Sequence, residues 1–417
     1  MRFKEYRVLS FLYLFLIASK LLTGEELVNH SLPSWQKGQL DLHHINTGRG
    51  NAAFYIFPDG TTMLVDAGDL PTDDPRTLSP RNASIKPNGT KTVYEWLAQY
   101  IRAMHPKKDH PTIDYTLLTH FHDDHIGVWA PYRERSKDSN YQLFGITGVG
   151  DLLPIKKMID RSYPKYPMPY DMSDERTRKT MTDYKRFIQH HRRKFGMQVE
   201  AFAPGSQKQI RMLRKPEFFP PFQVKIIVGN GIAWTGMGEE TFQVVNENPN
   251  ENSLSLGIRI SYGPFSYFTG GDLFGVTSTG ETDENSVESR IAPIIGPVDV
   301  ATLNHHGNRD SQNSFYVKTL RPRVWIQQNW SSDHPGEEVL RRITSTSLYP
   351  GERDLFALNM LEATRQYIGP LIDHSYKSTS GHVVVRVANG GKTYQIFVLD
   401  DSDTTYLIKA IFGPYSS

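Results

Sequence analysis

The sequence predicts an α/β fold, with sheets covered by helices. Short runs rich in Val, Ile, Phe and Tyr recur along its 417 residues, many of them bounded by glycine turns. Between them stand segments with apolar residues at helical spacing, such as Val93, Trp96, Leu97, Tyr100 and Ile101. Four strand-like runs stop at an aspartate or at histidines, namely Asp66, His120, Asp272 and His305.

The chain opens with Arg2, Lys4 and Arg7 ahead of an apolar run from Val8 to Ser19, which Lys20 ends. The run is too short for a membrane span, which needs roughly 20 apolar residues. Its basic-then-apolar order is that of an export signal. Residues 1–24 are therefore expected to be a signal peptide that sends the protein to the periplasm or the cell exterior, with an uncleaved anchor as the alternative. No later stretch is apolar enough to cross a bilayer, so no integral membrane domain is expected. Residues 25–417 are expected to form one folded domain with an inserted region around 130–248.

Gln39 to Asn46 alternates like a strand, and Thr47-Gly48-Arg49-Gly50 is a tight turn. Ala52–Phe57 and Thr62–Asp66 read as a hairpin around Pro58-Asp59-Gly60. Lys91 to Met104 is helical and hands over to the apolar run Tyr115 to Leu118. Thr177 to Phe195 reads as a basic helix with His190 and His191 on a solvated surface. Ser253–Tyr262 and Phe265–Thr269 form a second hairpin, and Val298–Leu303 and Arg323–Gln327 are buried-type strands. Pro335 to Ile343 is a helix, and His382–Val387 with Tyr394–Leu399 is a closing hairpin.

Composition excludes several chemistries. There is no cysteine, so disulfides, thiolate metal ligands and a cysteine nucleophile are ruled out. A net charge of +2, from 47 basic and 45 acidic residues, gives no global bias toward polyanions. Nucleic-acid binding would need a local patch such as Arg186, Arg192, Arg193 and Lys194.

The densest chemistry is Thr119-His120-Phe121-His122-Asp123-Asp124-His125, directly after an apolar strand. Imidazoles with carboxylates are what zinc takes, and carboxylates also suit manganese and iron. Ligand-type residues at the ends of four strands can converge at one sheet edge. The motifs Leu64-Val65-Asp66-Ala67-Gly68, His120-Phe121-His122-Asp123-Asp124-His125, Gly270-Gly271-Asp272 and Asn304-His305-His306-Gly307 resemble those of the metallo-β-lactamase superfamily. With Ile45 to Ala52, Asn252-Ser253-Leu254 and His334-Pro335-Gly336, they resemble more narrowly the soluble metallohydrolase domain of ComEC-type competence proteins. The resemblance spans about Leu40 to Leu399.

That resemblance implies an αββα sandwich of two mixed sheets with helices outside. It implies a pair of zinc ions, or manganese or iron in their place. His120 and His122 would bind the first ion, Asp124 and His125 the second, with Asp272 shared. The second would be completed by His306, in preference to His305. Asp66 and Asn252 would lie behind the ligands. Asp124, His334 and His305 are the candidate catalytic residues, the two histidines as proton donors to a leaving group. Many superfamily members carry a further histidine between the first motif and the shared aspartate. Here only His190 and His191 fall in that interval, and Asn252 is expected near the missing ligand's place. The implied activity is an exported hydrolase of small-molecule or polymeric phosphodiesters, with nucleic acid as one such substrate. An amide, ester or lactone hydrolase is the alternative.

Overall fold

The computed structural model describes residues 25–138, 141–167, 174–245 and 249–417. The expected signal peptide at residues 1–24 lies outside the described residues. The strands are β1 (Leu40–His44), β2 (Ala53–Ile56), β3 (Thr62–Val65), β4 (Ile113–Leu117), β5 (Ile155–Asp160) and β6 (Gln198–Ala201). There follow β7 (Phe222–Gly229), β8 (Ile232–Trp234), β9 (Thr241–Gln243), β10 (Gly257–Tyr262), β11 (Phe265–Thr269) and β12 (Val300–Thr302). The last are β13 (Val324–Gln327), β14 (Asp354–Ala357), β15 (Tyr376–Ser378), β16 (His382–Val387), β17 (Thr393–Leu399) and β18 (Ile408–Ser416). The helices are α1 (Pro75–Leu78), α2 (Val93–Met104), α3 (Asp123–Ile126), α4 (Gly145–Leu152) and α5 (Glu175–Phe195). After them come α6 (Val287–Ile295), α7 (Ser314–Leu320), α8 (Glu337–Thr344), α9 (Glu362–Ile368) and α10 (Pro370–Ser375).

Two nine-stranded sheets result, in the orders β18-β17-β16-β1-β2-β3-β4-β5-β6 and β15-β14-β13-β12-β11-β10-β7-β8-β9. Both are mixed: β3 to β6 run parallel, as do β11 to β15, while the hairpins pair antiparallel. Alternate side chains of each strand point to opposite faces. Leu42, Tyr55, Met63 and Val65 thus meet Ile258, Ile260, Tyr267 and Val324 between the sheets. Phe54, Ile56, Leu64 and Met158 pack outward under Leu97, Ile101, Val149 and Phe187 of α2, α4 and α5. Phe268, Ala301 and Trp325 pack under Ile291, Tyr316 and Leu340 of α6, α7 and α8. The architecture is the αββα sandwich. Because central strands are covered on both faces, they read as continuous apolar runs rather than clean alternation.

Residues 130–248 supply β5 and β6 to one sheet and β7, β8 and β9 to the other. Two sequence expectations are corrected. The strand expected from Ser253 begins at Gly257, because the Asn250 side chain captures Ser253 N–H (2.9 Å) and sets Asn252–Leu254 as a 3₁₀ turn. Helix α5 is capped by Asp174, which accepts from the main-chain N–H groups of Arg176 and Thr177, and stops at the left-handed Gly196. Its His191 is buried rather than solvated, its ring tilted against Phe187 (centroids 4.2 Å apart) and hydrogen-bonded to Tyr141 (3.0 Å). Among the described residues, no helix is long and apolar enough to cross a membrane.

Candidate metal centre

Parallel pairing sets Val65 beside Leu117, so Asp66 and the Thr119–His125 segment leave the first sheet together. In the second sheet β11, β12 and β13 are parallel neighbours, so Asp272, His305-His306 and Gln328–His334 leave at one edge. The two edges face each other. Asp66, His305 and His306 all take positive φ (60°, 47° and 55°), a sparsely populated region for residues with a Cβ. Gly68 lets the chains close up here, since a Cβ on it would lie 2.0 Å from the Asp124 carbonyl oxygen.

Two groups of donors form. Asp124, His125, Asp272 and His306 converge in one, and His120, His122 and Asp272 in the other. Asp272 belongs to both through different oxygens. Its Oδ1 lies 3.0 Å from His125 Nε2 and 3.5 Å from His306 Nε2, while Oδ2 lies 3.6 Å from His120 Nε2. His306 joins a donor group; His305 does not. The Nδ1 of His305 donates to Asp310 (2.7 Å) and its Nε2 accepts from Asn252 (3.2 Å). Asn252 therefore sits against His305. His334 is buried and stacks 4.9 Å from His306.

Hydrogen bonding fixes the tautomers. His125 Nδ1 lies 2.7 Å from Asp66 Oδ2, and His306 Nδ1 lies 2.7 Å from the Gln328 carbonyl oxygen. Both partners only accept, so both Nδ1 atoms carry the proton and both neutral rings present lone pairs at Nε2. Those Nε2 atoms are 3.3 Å apart, and His306 Nε2 is 3.0 Å from Asp124 Oδ2. Among the described residues buried Asp272 Oδ1 has no hydrogen-bond partner, although His125 Nε2 lies 3.0 Å away. With the rings neutral these acceptors face one another across about 3 Å in a dry site, and a proton or a metal ion between them relieves the clash. Burial alone would lower the imidazoles. Asp272 and Asp124 outweigh it, raising His125 well above its ordinary value and His306 to about 10. The field that holds a proton on those rings also favours a divalent cation, so this donor set fits a metal ion. His120 goes the other way: burial, reinforced by His125, keeps it neutral, the form that ligates.

Partners that sequence reasoning missed surround the groups. Trp330 Nε1 donates to Asp124 Oδ2 (3.1 Å), and Asp66 also accepts from Asn51 (2.9 Å) and Thr119 (2.7 Å to N, 2.8 Å to Oγ1). Ser255 Oγ lies 3.3 Å from His120 Nδ1 and accepts from Asp272 N–H (3.1 Å). No local pattern marks Trp330 or Ser255, whereas Asn51 and Thr119 lie within the motifs themselves. The site opens into a groove of about 510 Å³, lined among others by Arg81, Asn82, Asn308, Trp330 and His334. One wall is stitched to the next by Ala83 N–H on the Trp330 carbonyl and Ser332 N–H on the Arg81 carbonyl.

No protein-family model matches the chain, and no curated protein matches it. Among solved structures, a point mutant of CmlA beta-hydroxylase is similar at 12% identity and a TM-score of 0.37, covering 86% of this chain. The chain spans about half (55%) of that protein's length. YhfI from Bacillus subtilis, a metallo-beta-lactamase fold protein, is similar at 11% identity and TM-score 0.34, over 84% of this chain and 100% of its own. Zn(2+)-bound PqqB from Methylobacterium extorquens is similar at 11% identity and TM-score 0.39, over 83% of this chain and 99% of its own. The likenesses are distant.

Proposed function

We propose that the protein is a metal-dependent hydrolase of phosphodiesters that holds two ions, zinc in first place with manganese or iron as alternatives. The reading is carried by Asp272, whose two oxygens turn to two buried donor groups at the floor of one open groove. His120, His122 and Asp272 would hold one ion, and Asp124, His125, Asp272 and His306 the other. Once bound, such ions supply a water nucleophile near neutral pH and offset charge on phosphoryl oxygens.

The chain's own groups orient. Asp66 and the Gln328 carbonyl hold protons on the Nδ1 atoms of His125 and His306, and so aim both Nε2 lone pairs into the site. The Trp330 indole N–H fixes Asp124. Arg81 and Asn82 on the groove wall offer donors to non-bridging phosphate oxygens, a role suited to guanidinium. His334 lines the groove, and its Nδ1 has no hydrogen-bond partner among the described residues. Burial, then the neighbouring His306, lowers it to about 3, so at pH 7 it is neutral and offers a hydrogen bond at the leaving group rather than a proton. With both ring nitrogens of His305 engaged, it orients Asn252 instead.

The test is a side-by-side assay of the metal-loaded full-length protein on bis-p-nitrophenyl phosphate, single-stranded DNA and nitrocefin. Phosphodiester cleavage is expected. Turnover of nitrocefin or a lactone with no phosphodiester cleavage would replace this reading by the amide, ester or lactone one. We further propose that residues 1–24 direct export, which N-terminal sequencing of the exported protein near residue 25 would check.

A further inference from the structure

One buried ion pair lies outside both donor groups yet touches the peptide between two of the donors. Arg161, just past β5, and Glu251, just ahead of the Asn252–Leu254 turn, have side chains that are 0% exposed. They form a two-point chelate: Nε to Oε1 at 2.7 Å and Nη2 to Oε2 at 2.8 Å. Oε1 accepts a second bond, from the main-chain N–H of Phe121 at 2.9 Å. The remaining Arg161 donors reach Asn230 Oδ1 and the Pro167 carbonyl, both at 3.1 Å. The guanidinium lies 4.7 Å from the Phe121 ring centroid. Phe121 is thus held at its backbone and at its ring.

A buried ion pair contributes little net stability compared with apolar side chains of the same volume. Stability alone is therefore a poor account of two charges at this depth. Position is a better one. Phe121 separates His120 from His122, and the peptide it belongs to sets where both rings point. The two facing nitrogens, His120 Nε2 and His122 Nδ1, are 3.2 Å apart. Immediately after Glu251 the same segment places Ser255 on His120 and bonds Leu256 N–H to the Thr119 carbonyl (3.1 Å).

We infer that Glu251, clamped by Arg161, is a positioning residue for the ion held by His120, His122 and Asp272. It sets the 120–122 backbone so that the two imidazoles share one target. The inference rests on the metal-pair reading above. In Glu251→Gln an amide NH₂ must face either an Arg161 N–H or the Phe121 N–H, and the guanidinium keeps its charge without a counter-charge. The other donor group does not touch Glu251.

The experiment measures metal uptake rather than turnover. Wild type, Glu251→Gln, His122→Ala and the double variant are equilibrated with buffered Zn²⁺ or Co²⁺, and bound metal per chain and both dissociation constants are determined alongside Tm. The wild type should bind two ions. In Glu251→Gln one should weaken 10–100-fold, the usual size of an effect transmitted through a ligand's supporting bonds, while the other is unchanged. Adding Glu251→Gln to His122→Ala should cost no further metal, because both changes act on the same ion. If Glu251→Gln does not accumulate folded, Arg161→Lys, which keeps the charge and loses the chelate, is read in the same way. A lowered Tm with both affinities at wild-type values, in whichever variant folds, overturns the inference alone. A wild type that binds fewer than two ions overturns the metal pair and the inference with it.

Discussion

Asp66→Asn isolates what the second row of contacts contributes. Both Asp66 oxygens accept only: Oδ1 from Thr119 N–H at 2.7 Å, and Oδ2 from His125 Nδ1 at 2.7 Å, Thr119 Oγ1 at 2.8 Å and Asn51 Nδ2 at 2.9 Å. The residue is fully buried, so the asparagine amide nitrogen has no escape to water. Turned to the Oδ1 side it opposes one donor; turned to the Oδ2 side it opposes three. The first is cheaper, and leaves one buried N–H unsatisfied at about 1–3 kcal/mol. His125 then keeps an acceptor at Nδ1 but loses the charge that makes its Nε2 basic. A loss of this kind weakens metal binding about 10–100-fold, equivalent to about 1.4–2.8 kcal/mol. The assay is a chelator-competition titration with bound metal read by elemental analysis. One ion should weaken by that factor, two should still bind at saturation, and Tm should fall. Unchanged affinity for both ions, with Tm lowered, would refute the reasoning and leave Asp66 as a turn former with φ of 60°.

Asp272→Ala should abolish uptake of both ions and hydrolysis together, since each donor group uses one of its oxygens, whereas His122→Ala should retain one ion; elemental analysis separates the two outcomes. Away from the site, burial by itself would raise the Asp41 carboxyl. The Arg386 guanidinium, with His43, overrides it and brings it down to about 2. A depressed carboxylate stabilises the fold above its unfolded pKa of 3.8 and loses that contribution as pH falls toward 2. Urea unfolding of the wild type should therefore lose about 2 kcal/mol more than Asp41→Asn between pH 5 and pH 2. At pH 7 Asp41→Asn should be the less stable protein by about 3 kcal/mol, because Arg386 keeps a buried charge without its partner.

What was legible in the sequence is what a single strand and its end can encode. Thr62–Val65 running into Asp66, and Tyr115–Leu118 running on to His120, are largely apolar runs broken by a ligand type, and each break lies at the site. The basic helix ending near Phe195 was legible because its spacing and its Gly196 stop are local. Arg161, Glu251 and Trp330 were not. Their meaning lies in pairings across the sandwich, 90 residues apart for Arg161 with Glu251 and 206 for Asp124 with Trp330. The choice between His305 and His306 is a backbone matter: both take positive φ, and the turn sends one ring to Asp310 and the other into the donor group. Strand β18 escaped detection because Gly413-Pro414 interrupts its pattern on a sheet edge, where proline is tolerated.

The two sheets meet in two different ways, and their magnitudes decide what an ion can do. Between the faces, Leu42, Tyr55, Met63, Ile258, Ile260, Tyr267 and Val324 are all 0% exposed and belong to one continuous core. At about 1.5–3 kcal/mol for each fully buried large side chain, these seven alone contribute on the order of 10–20 kcal/mol to docking the sheets. At the edge, contact is polar: Asp272 against His120 and His125, Ser255 against His120, and Glu251 under Phe121. A bound ion at roughly a hundred to a thousand times its dissociation constant adds about 2.7–4.1 kcal/mol. The core term is several times larger, so most of the docking is apolar and independent of an ion. The ion's influence is confined to the loops at the edge. Those loops carry mutually repelling acceptors, so their geometry must be imposed by groups that do not depend on the ion. Asp66, the Gln328 carbonyl, Trp330 and the Arg161–Glu251 pair are such groups. They belong to the docked sandwich and present the donors already aimed.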